Sequence, residues 1–212
     1  MIKIGKAVGV MVFSMIVVGC ADRLEPPTPV RYVDTDRLAQ WSKTHALPYG
    51  IPERALRAYA FAAWKVSEEK CELGWPTLAA LGAVLSHHGT AHGAEIAEDG
   101  ISTKALRNLD LVKMEPVADT DHGRIDGILE HDVPVGPMQM MPSRWEQFEA
   151  SAVPGRKPDP DSIDDASLAV ARQLCAMGDV KSSDGWDSAI KSVFADPEFV
   201  KQVHAKAGEY SR

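Results

Sequence analysis

The sequence predicts an all-α protein, and three observations support that prediction. Apolar residues recur at helical spacing in several segments, as Leu78, Leu81 and Leu85 do. Proline or an acidic residue opens most of these segments and glycine closes several, as expected at the two ends of helices. No segment of useful length alternates apolar and polar residues in the manner of a half-buried β-strand. We therefore expect one helical domain with long loops.

The first twenty residues have the pattern of a bacterial lipoprotein signal peptide. Two lysines precede an apolar run from Ala7 to Val18, which is too short to span a bilayer comfortably. The run ends in Val17-Val18-Gly19-Cys20, which resembles a lipobox, so cleavage would leave Cys20 as the lipidated N-terminus. The alternative is an ordinary signal peptide with an incidental cysteine. We expect an exported protein, anchored by its acyl chains to the outer face of the cytoplasmic membrane.

Residues 21–48 are predicted to form a tether and a short helix. The prolines of Glu25-Pro26-Pro27-Thr28-Pro29 favour an extended, stiff spacer between the anchor and the domain. Asp34 or Thr35 is a suitable cap for the short helix that follows. The helical domain itself is expected to occupy residues 49–212.

Prolines and glycines set the helix boundaries predicted in the first half of this domain. Pro52 suits the first position of a helix that should end near Lys70. Pro76 lies in the first turn of the next helix, and Gly89 stops it.

The second half begins with a segment of weak periodicity, residues 90–134. We expect a long loop there, with a helical turn or two between Ser102 and Asn108. Four further helices are predicted: one from Pro142, one capped by Asp164, one over Trp186 to Val193, and one capped by Asp196.

Composition limits the classes of partner. Hydrophobic residues make up 45% and charged residues 25% of the 212 residues, which is typical of a globular protein. The formal net charge is −7, whereas a nucleic-acid interface needs basic residues to neutralise phosphates. Nucleic acid is therefore excluded as a partner, and we expect no cofactor.

Two cysteines remain beyond the lipobox, Cys71 and Cys175. In an exported protein an even pair predicts a disulfide, because the compartment is oxidising. The alternative is two buried free thiols.

Two segments carry a resemblance to a known family. The run from Leu78 to Ser86, followed by His88-Gly89, resembles the catalytic helix of lytic murein transglycosylases of the membrane-bound B type. The segment from Gly136 to Trp145 is similar to that family's Gly-Pro-Met-Gln-Phe-x-Pro-Ser-x-Trp segment, which lines the glycan groove. Cys71 and Cys175 match the positions of its disulfide. The resemblance implies a lysozyme-like domain of the actinobacterial lipoprotein type.

The chain departs from this family at the positions that carry the chemistry. Leu85 stands where the resemblance places the catalytic glutamate. Val193 and Phe194 replace the tyrosine and asparagine of a Ser-Tyr-Asn run that helps to hold the sugar. The reaction needs one carboxyl that acts first as an acid and then as a base, and leucine can do neither. The resemblance thus implies the fold of the enzyme without its normal activity.

The other site residues follow from the same resemblance. Ser86, His87 and His88 lie beside the degenerate position. Histidine is a general acid near neutral pH, but a rotation of about 100° per residue turns His87 and His88 away from Leu85. A groove for substrate or partner is expected at Gly136, Pro137, Met138, Gln139, Met140, Val193 and Phe194.

An acidic loop between these segments partly fits a calcium-binding pattern. Asp119, Asp121 and Glu130 occupy its first, third and twelfth positions, with Asp126 between them. Gly123 falls at the fifth position instead of the sixth. A solvated acidic loop without metal is therefore the preferred interpretation, and a Ca²⁺ site is the alternative.

These observations predict a catalytically inactive lipoprotein. It would bind peptidoglycan glycan strands, regulate a cell-wall hydrolase such as an amidase, or do both, in wall remodelling or cell separation. One alternative is an active transglycosylase that cleaves between N-acetylmuramic acid and N-acetylglucosamine with a substitute acid, His87, His88 or Glu95. Another is a structural lipoprotein that only binds the wall.

Overall fold

A computed structural model describes residues 35–110 and 117–212. The predicted signal peptide, Cys20 and the proline-rich part of the tether lie outside the described residues. The regular secondary structure of the described chain is helical, with only isolated β-bridges besides, so the all-α prediction is confirmed. Its seven α-helices are α1 (Thr35–Tyr49), α2 (Glu53–Glu68), α3 (Trp75–Ser86), α4 (Pro142–Phe148), α5 (Ile163–Cys175), α6 (Ser183–Val193) and α7 (Pro197–Tyr210).

The first helix is longer than predicted and belongs to the packed part of the protein. Leu38 and Trp41 are buried, and the Trp41 ring lies edge-on to that of Trp75 with centroids 5.6 Å apart. Pro48 lies in the last turn, and Gly50 follows with a positive φ of 65°, so the helix ends there. A segment expected to be mostly a tether thus contributes to the core.

Most of the other helix ends lie where the sequence predicts them. Pro52 immediately precedes α2, and α4 begins at Pro142. The Asp196 side chain caps α7 by accepting a hydrogen bond from the Phe199 amide at 2.9 Å.

Two local predictions are wrong. No helical turn forms between Ser102 and Asn108, because the backbone there makes bridges to residues further along the chain, including one from Arg107 to Val135. Ser162, and not Asp164, caps α5, because the Asp164 carboxylate is held by Arg54.

The core is built around α2 and α3. Helix α2 packs against α5 and α1, and α3 packs against α7. The disulfide between Cys71 and Cys175 joins the loop after α2 to the last residue of α5, with an S–S distance of 2.03 Å. The disulfide prediction is confirmed. Among the described residues, no helix combines the length and apolarity that crossing a bilayer requires.

Two arginine–aspartate pairs fix the long segment between α3 and α4. Arg54 on α2 binds both oxygens of Asp164, and its Nε donates to the Glu98 carbonyl at 3.1 Å. Arg107 donates to both oxygens of Asp161 at 2.6 and 2.9 Å. Paired N–H···O contacts of this kind fix orientation as well as distance, so the segment is held over the start of α5.

Candidate functional site

The C-terminal end of α3 is where the resemblance implies a catalytic residue. Three consecutive residues there have positive φ angles: His87 (50°), His88 (60°) and Gly89 (82°). The His87 amide donates to the Ala83 carbonyl at 3.1 Å, which closes the helix. Two non-glycine residues in this region are uncommon, and such backbone conformations cluster at functional sites. The chain thus has an unusual turn beside Leu85.

Leu85 itself is part of the core. Its side chain is 1% exposed and belongs to the same apolar cluster as Leu78, Leu81 and Met138. A carboxylate at this position would be buried among apolar groups, and burying one without a partner is costly. Leu85 therefore fills the position by packing and offers no group for chemistry.

Ser86 fastens the end of α3 to the loop before α4. Its hydroxyl donates to the Pro137 carbonyl at 2.5 Å and accepts from the Gly89 amide at 2.8 Å. The residue is fully buried. Because the hydroxyl already donates one hydrogen bond and accepts another within the protein, the role of Ser86 is structural.

His88 bridges two helices inside the protein. One ring nitrogen, Nδ1, lies 3.2 Å from the Tyr59 hydroxyl, and the other, Nε2, lies 3.2 Å from the Tyr210 hydroxyl. Gly82 permits this arrangement, because a side chain there would overlap the Tyr59 hydroxyl. Burial, with smaller contributions from His87 and Lys206, lowers the pKa of His88 to about 4. The ring is thus neutral at physiological pH, and both of its nitrogens are engaged.

This bridge predicts a pH-dependent stability. The unfolded chain binds a proton on His88 near its ordinary pKa, about 6.5, whereas the folded chain does so only near 4. The free energy of unfolding therefore falls, by on the order of 3 kcal/mol in total, as pH decreases from about 6.5 to below about 4. Urea unfolding measured from pH 7.5 to 4 should show the loss in the wild type and a shallower one in His88→Gln. An equal loss of unfolding free energy with falling pH in the two proteins would contradict the lowered pKa of His88.

The turn from Gly136 to Gln139 is the second half of the site. The Val135 amide donates to the Met140 carbonyl at 2.9 Å, and the Met140 amide returns the bond at 3.0 Å. Gly136 has a φ of 71°, and a side chain on it would overlap the Pro160 carbonyl. The turn is therefore tight, and it is wedged between α3 and the start of α5.

The side chains expected to line a groove in this turn are internal. Met138 is fully buried, Gln139 is 3% exposed and Met140 is 4% exposed. The Gln139 side-chain oxygen accepts a hydrogen bond from the Leu109 backbone amide at 3.0 Å, and the side-chain nitrogen donates to the Gly136 carbonyl at 2.8 Å. The expectation that these side chains form a groove surface is corrected accordingly: they hold the loop in place from within.

The C-terminal positions of the expected groove also pack inward. Val193 ends α6, and Phe194 follows it, both partly buried against the core. The Phe194 ring lies edge-on to Phe199, with centroids 5.5 Å apart. The Ser192 carbonyl accepts from the Gln173 side chain at 2.8 Å. Apolar packing has taken the place of the polar run that the resemblance implies.

Among the proposed substitute acids, His88 is unsuited by burial, whereas His87 and Glu95 are exposed. A buried carboxyl that the sequence did not single out is Asp165, which is 0% exposed. Burial raises its pKa, while hydrogen bonds from the Ala152 and Asp159 amides oppose the rise. Asp165 fixes the connector before α5 through these hydrogen bonds.

The acidic loop brings together a different set of carboxylates from the one predicted. Asp119 and Asp121 lie next to Asp132, with one oxygen from each within 4.8 Å of the others. Asp126 instead accepts from the Ile128 and Val133 amides at 2.9 and 2.8 Å, and Glu130 is exposed. The predicted set of Asp119, Asp121, Asp126 and Glu130 is thus corrected at its last two members. No sequence signal marked Asp132, because it lies outside the twelve-residue spacing.

No protein-family model, no curated protein and no solved structure matches the chain. A functional assignment therefore rests on the residues of the chain itself and on the motifs it contains.

Proposed function

We propose that this protein is a catalytically inactive relative of the lytic transglycosylases that acts in the cell envelope by binding. The observation that carries the proposal is the burial of Leu85, 1% exposed, at the position of the acid. Two of its neighbours, Ser86 and His88, supply no replacement, because the Ser86 hydroxyl holds the Pro137 carbonyl and the His88 ring is neutral and bridged. Acid–base catalysis contributes roughly 10²–10⁴-fold in rate to reactions of this kind, so its loss removes most of the activity.

The partner is proposed to be a protein rather than a glycan chain in the former cleavage site. A sugar-binding site needs exposed polar groups, since each sugar hydroxyl must exchange its hydrogen bonds with water for others. Here the Gln139 side-chain amide is already hydrogen-bonded to backbone groups, and Phe194 packs on the core. The protein partner that fits an envelope protein of this resemblance is a cell-wall hydrolase, such as an amidase, whose activity it would regulate.

A reconstitution assay tests this role. A version of the chain that lacks residues 1–20 is mixed with a purified envelope amidase and with sacculi, and released products are separated by mass. We expect a change in the release of stem peptides, which report amidase action, and no anhydromuropeptides. Heat-unfolded protein is the control for unspecific effects.

Binding to sacculi alone distinguishes the remaining candidate. Co-sedimentation of the protein with sacculi, combined with no effect on any amidase, would overturn the regulatory role in favour of a wall-binding lipoprotein. Anhydromuropeptides that vanish in a His87→Ala or Glu95→Gln variant would overturn the inactive assignment itself.

A further inference from the structure

We propose that Asp119, Asp121 and Asp132 bind a divalent cation, with Ca²⁺ as the ion of choice. One carboxylate oxygen from each residue lies within 4.8 Å of the other two. The three residues come from the two arms of one loop, which meet where the Asp132 amide donates to the Val117 carbonyl at 2.9 Å. The name acidic cluster is used below for these three residues.

Two of the three members of the acidic cluster are buried and Asp119 is partly buried, and the cluster is only partly satisfied by hydrogen bonds within the chain. Asp121 is 6% and Asp132 is 3% exposed. Asp132 accepts from the Thr120 amide at 2.9 Å and from the Thr120 hydroxyl at 2.6 Å. Asp121 accepts from the Ile125 amide through Oδ2 at 2.5 Å, but its Oδ1 is buried without any hydrogen-bond partner. A buried carboxylate oxygen without a donor is rare in folded proteins, and an unseen cation is a direct explanation.

The charge of the acidic cluster also favours a bound cation. In the part of the chain that the structure describes, no lysine or arginine forms an ion pair with any of its three members. Among the described residues, the cluster's ion-pair partner is His122, whose Nδ1 lies 3.6 Å from Asp119 Oδ2 and whose side chain is 94% exposed. Like charges at this spacing disfavour one another, and a divalent cation between them reverses the sign of the interaction.

The ligand type favours a hard cation, and the spacing of the oxygens accommodates calcium. Carboxylate oxygens are the ligands of hard cations, and the cluster offers neither sulfur nor nitrogen. A Ca²⁺–O bond is about 2.4 Å, so the ligand oxygens of one ion lie up to about 4.8 Å apart, and the three oxygens here lie within that reach of one another. Mg²⁺, with bonds of about 2.0–2.1 Å, holds its ligands closer and demands regular octahedral geometry. Backbone carbonyls and water would complete the shell.

The consequence would be structural. The cation would join the outgoing arm of the loop, at Asp119 and Asp121, to the returning arm, at Asp132. That arm leads within a few residues to Val135 and the turn beside α3. Binding would therefore stabilise the surface next to the former cleavage site, and it does not depend on the function proposed above.

Calorimetric titration of the full-length protein, purified in detergent and freed of metal with EGTA, tests the site. Titration with CaCl₂ at constant ionic strength is expected to show one ion per chain. At a hundred times the dissociation constant, Ca²⁺ should raise the melting temperature by about 5 °C or more, whereas Mg²⁺ should bind more weakly. No binding heat and no shift in the wild type would overturn the proposal without recourse to any variant.

Three variants separate this site from a twelve-residue calcium loop. Asp121→Asn and Asp132→Asn are each expected to weaken Ca²⁺ binding at least about tenfold, because each removes a charged ligand. Glu130→Gln, an exposed acid of the same loop, is the matched control and should bind as the wild type does. Loss of binding in Glu130→Gln with retention in Asp132→Asn would contradict the acidic cluster as the site. Circular dichroism in EGTA checks that each variant is folded.

Discussion

Replacing Cys71 and Cys175 together by alanine is expected to lower the free energy of unfolding by about 4–5 kcal/mol. The two cysteines are separated by 104 residues, so the disulfide restricts most of the unfolded domain. Loop-closure entropy grows with the length of the closed loop, which places this bond near the upper end of the usual range. Urea unfolding followed by circular dichroism measures the change. A loss below about 1 kcal/mol would show that the unfolded chain is compact without the bond.

Reduction provides the control for this prediction. A reductant added to the wild type should reproduce the loss seen in the double variant, because both break the same bond. The same reductant should leave the double variant unchanged. A further loss on reduction of the double variant would mean that the reductant acts elsewhere, and the assignment to Cys71–Cys175 would fail.

Leu85→Glu is expected to lower the free energy of unfolding by roughly 3–5 kcal/mol and to restore no cleavage of sacculi. The new carboxyl would replace a packed leucine that is 1% exposed in an apolar cluster. Its pKa should rise above the ordinary value for glutamate, since burial disfavours the charged form. The destabilisation should then grow as pH rises above about 4.3, where the unfolded chain ionises and the folded one does not.

Two companion variants isolate the causes of that effect. Leu85→Met keeps the volume and the apolar character and should cost less than about 1.5 kcal/mol. Leu85→Gln has the shape of glutamate without its charge, so the pH-dependent part should be absent from it. A stable Leu85→Glu protein that released anhydromuropeptides would mean that the packing of Phe194 and the loss of the polar run matter less than proposed.

The helices could be predicted from the sequence because the signals for their ends act over only a few residues. Pro142 and Pro52 mark helix starts through a fixed φ and a missing amide hydrogen. The Asp196 cap needs only the amide three residues away, at Phe199. Local reasoning fails where a long-range contact competes. Asp164 is a residue type and position typical of a helix cap, but its carboxylate binds Arg54, which is 110 residues away along the chain.

The sequence motifs predicted which segments would lie close together, but not whether their side chains would be buried. The motifs placed Leu85, Ser86 and Gln139 near one another, and the Ser86–Pro137 hydrogen bond joins their two segments. Whether side chains there face solvent depends on the packing of α3 and the turn, which sequence spacing does not determine. Asp132 joined the acidic cluster for a similar reason, because the fold of the loop sets which carboxylates meet.

The most direct test of the central claim is digestion of sacculi by the wild-type protein alone. Purified sacculi are incubated with a large excess of the protein, and soluble products are analysed by mass spectrometry beside an active lytic transglycosylase. We predict no anhydromuropeptides above the level of sacculi in buffer, because Leu85 can neither give nor take a proton. Sustained release of anhydromuropeptides by the wild type, proportional to protein concentration, would contradict the account.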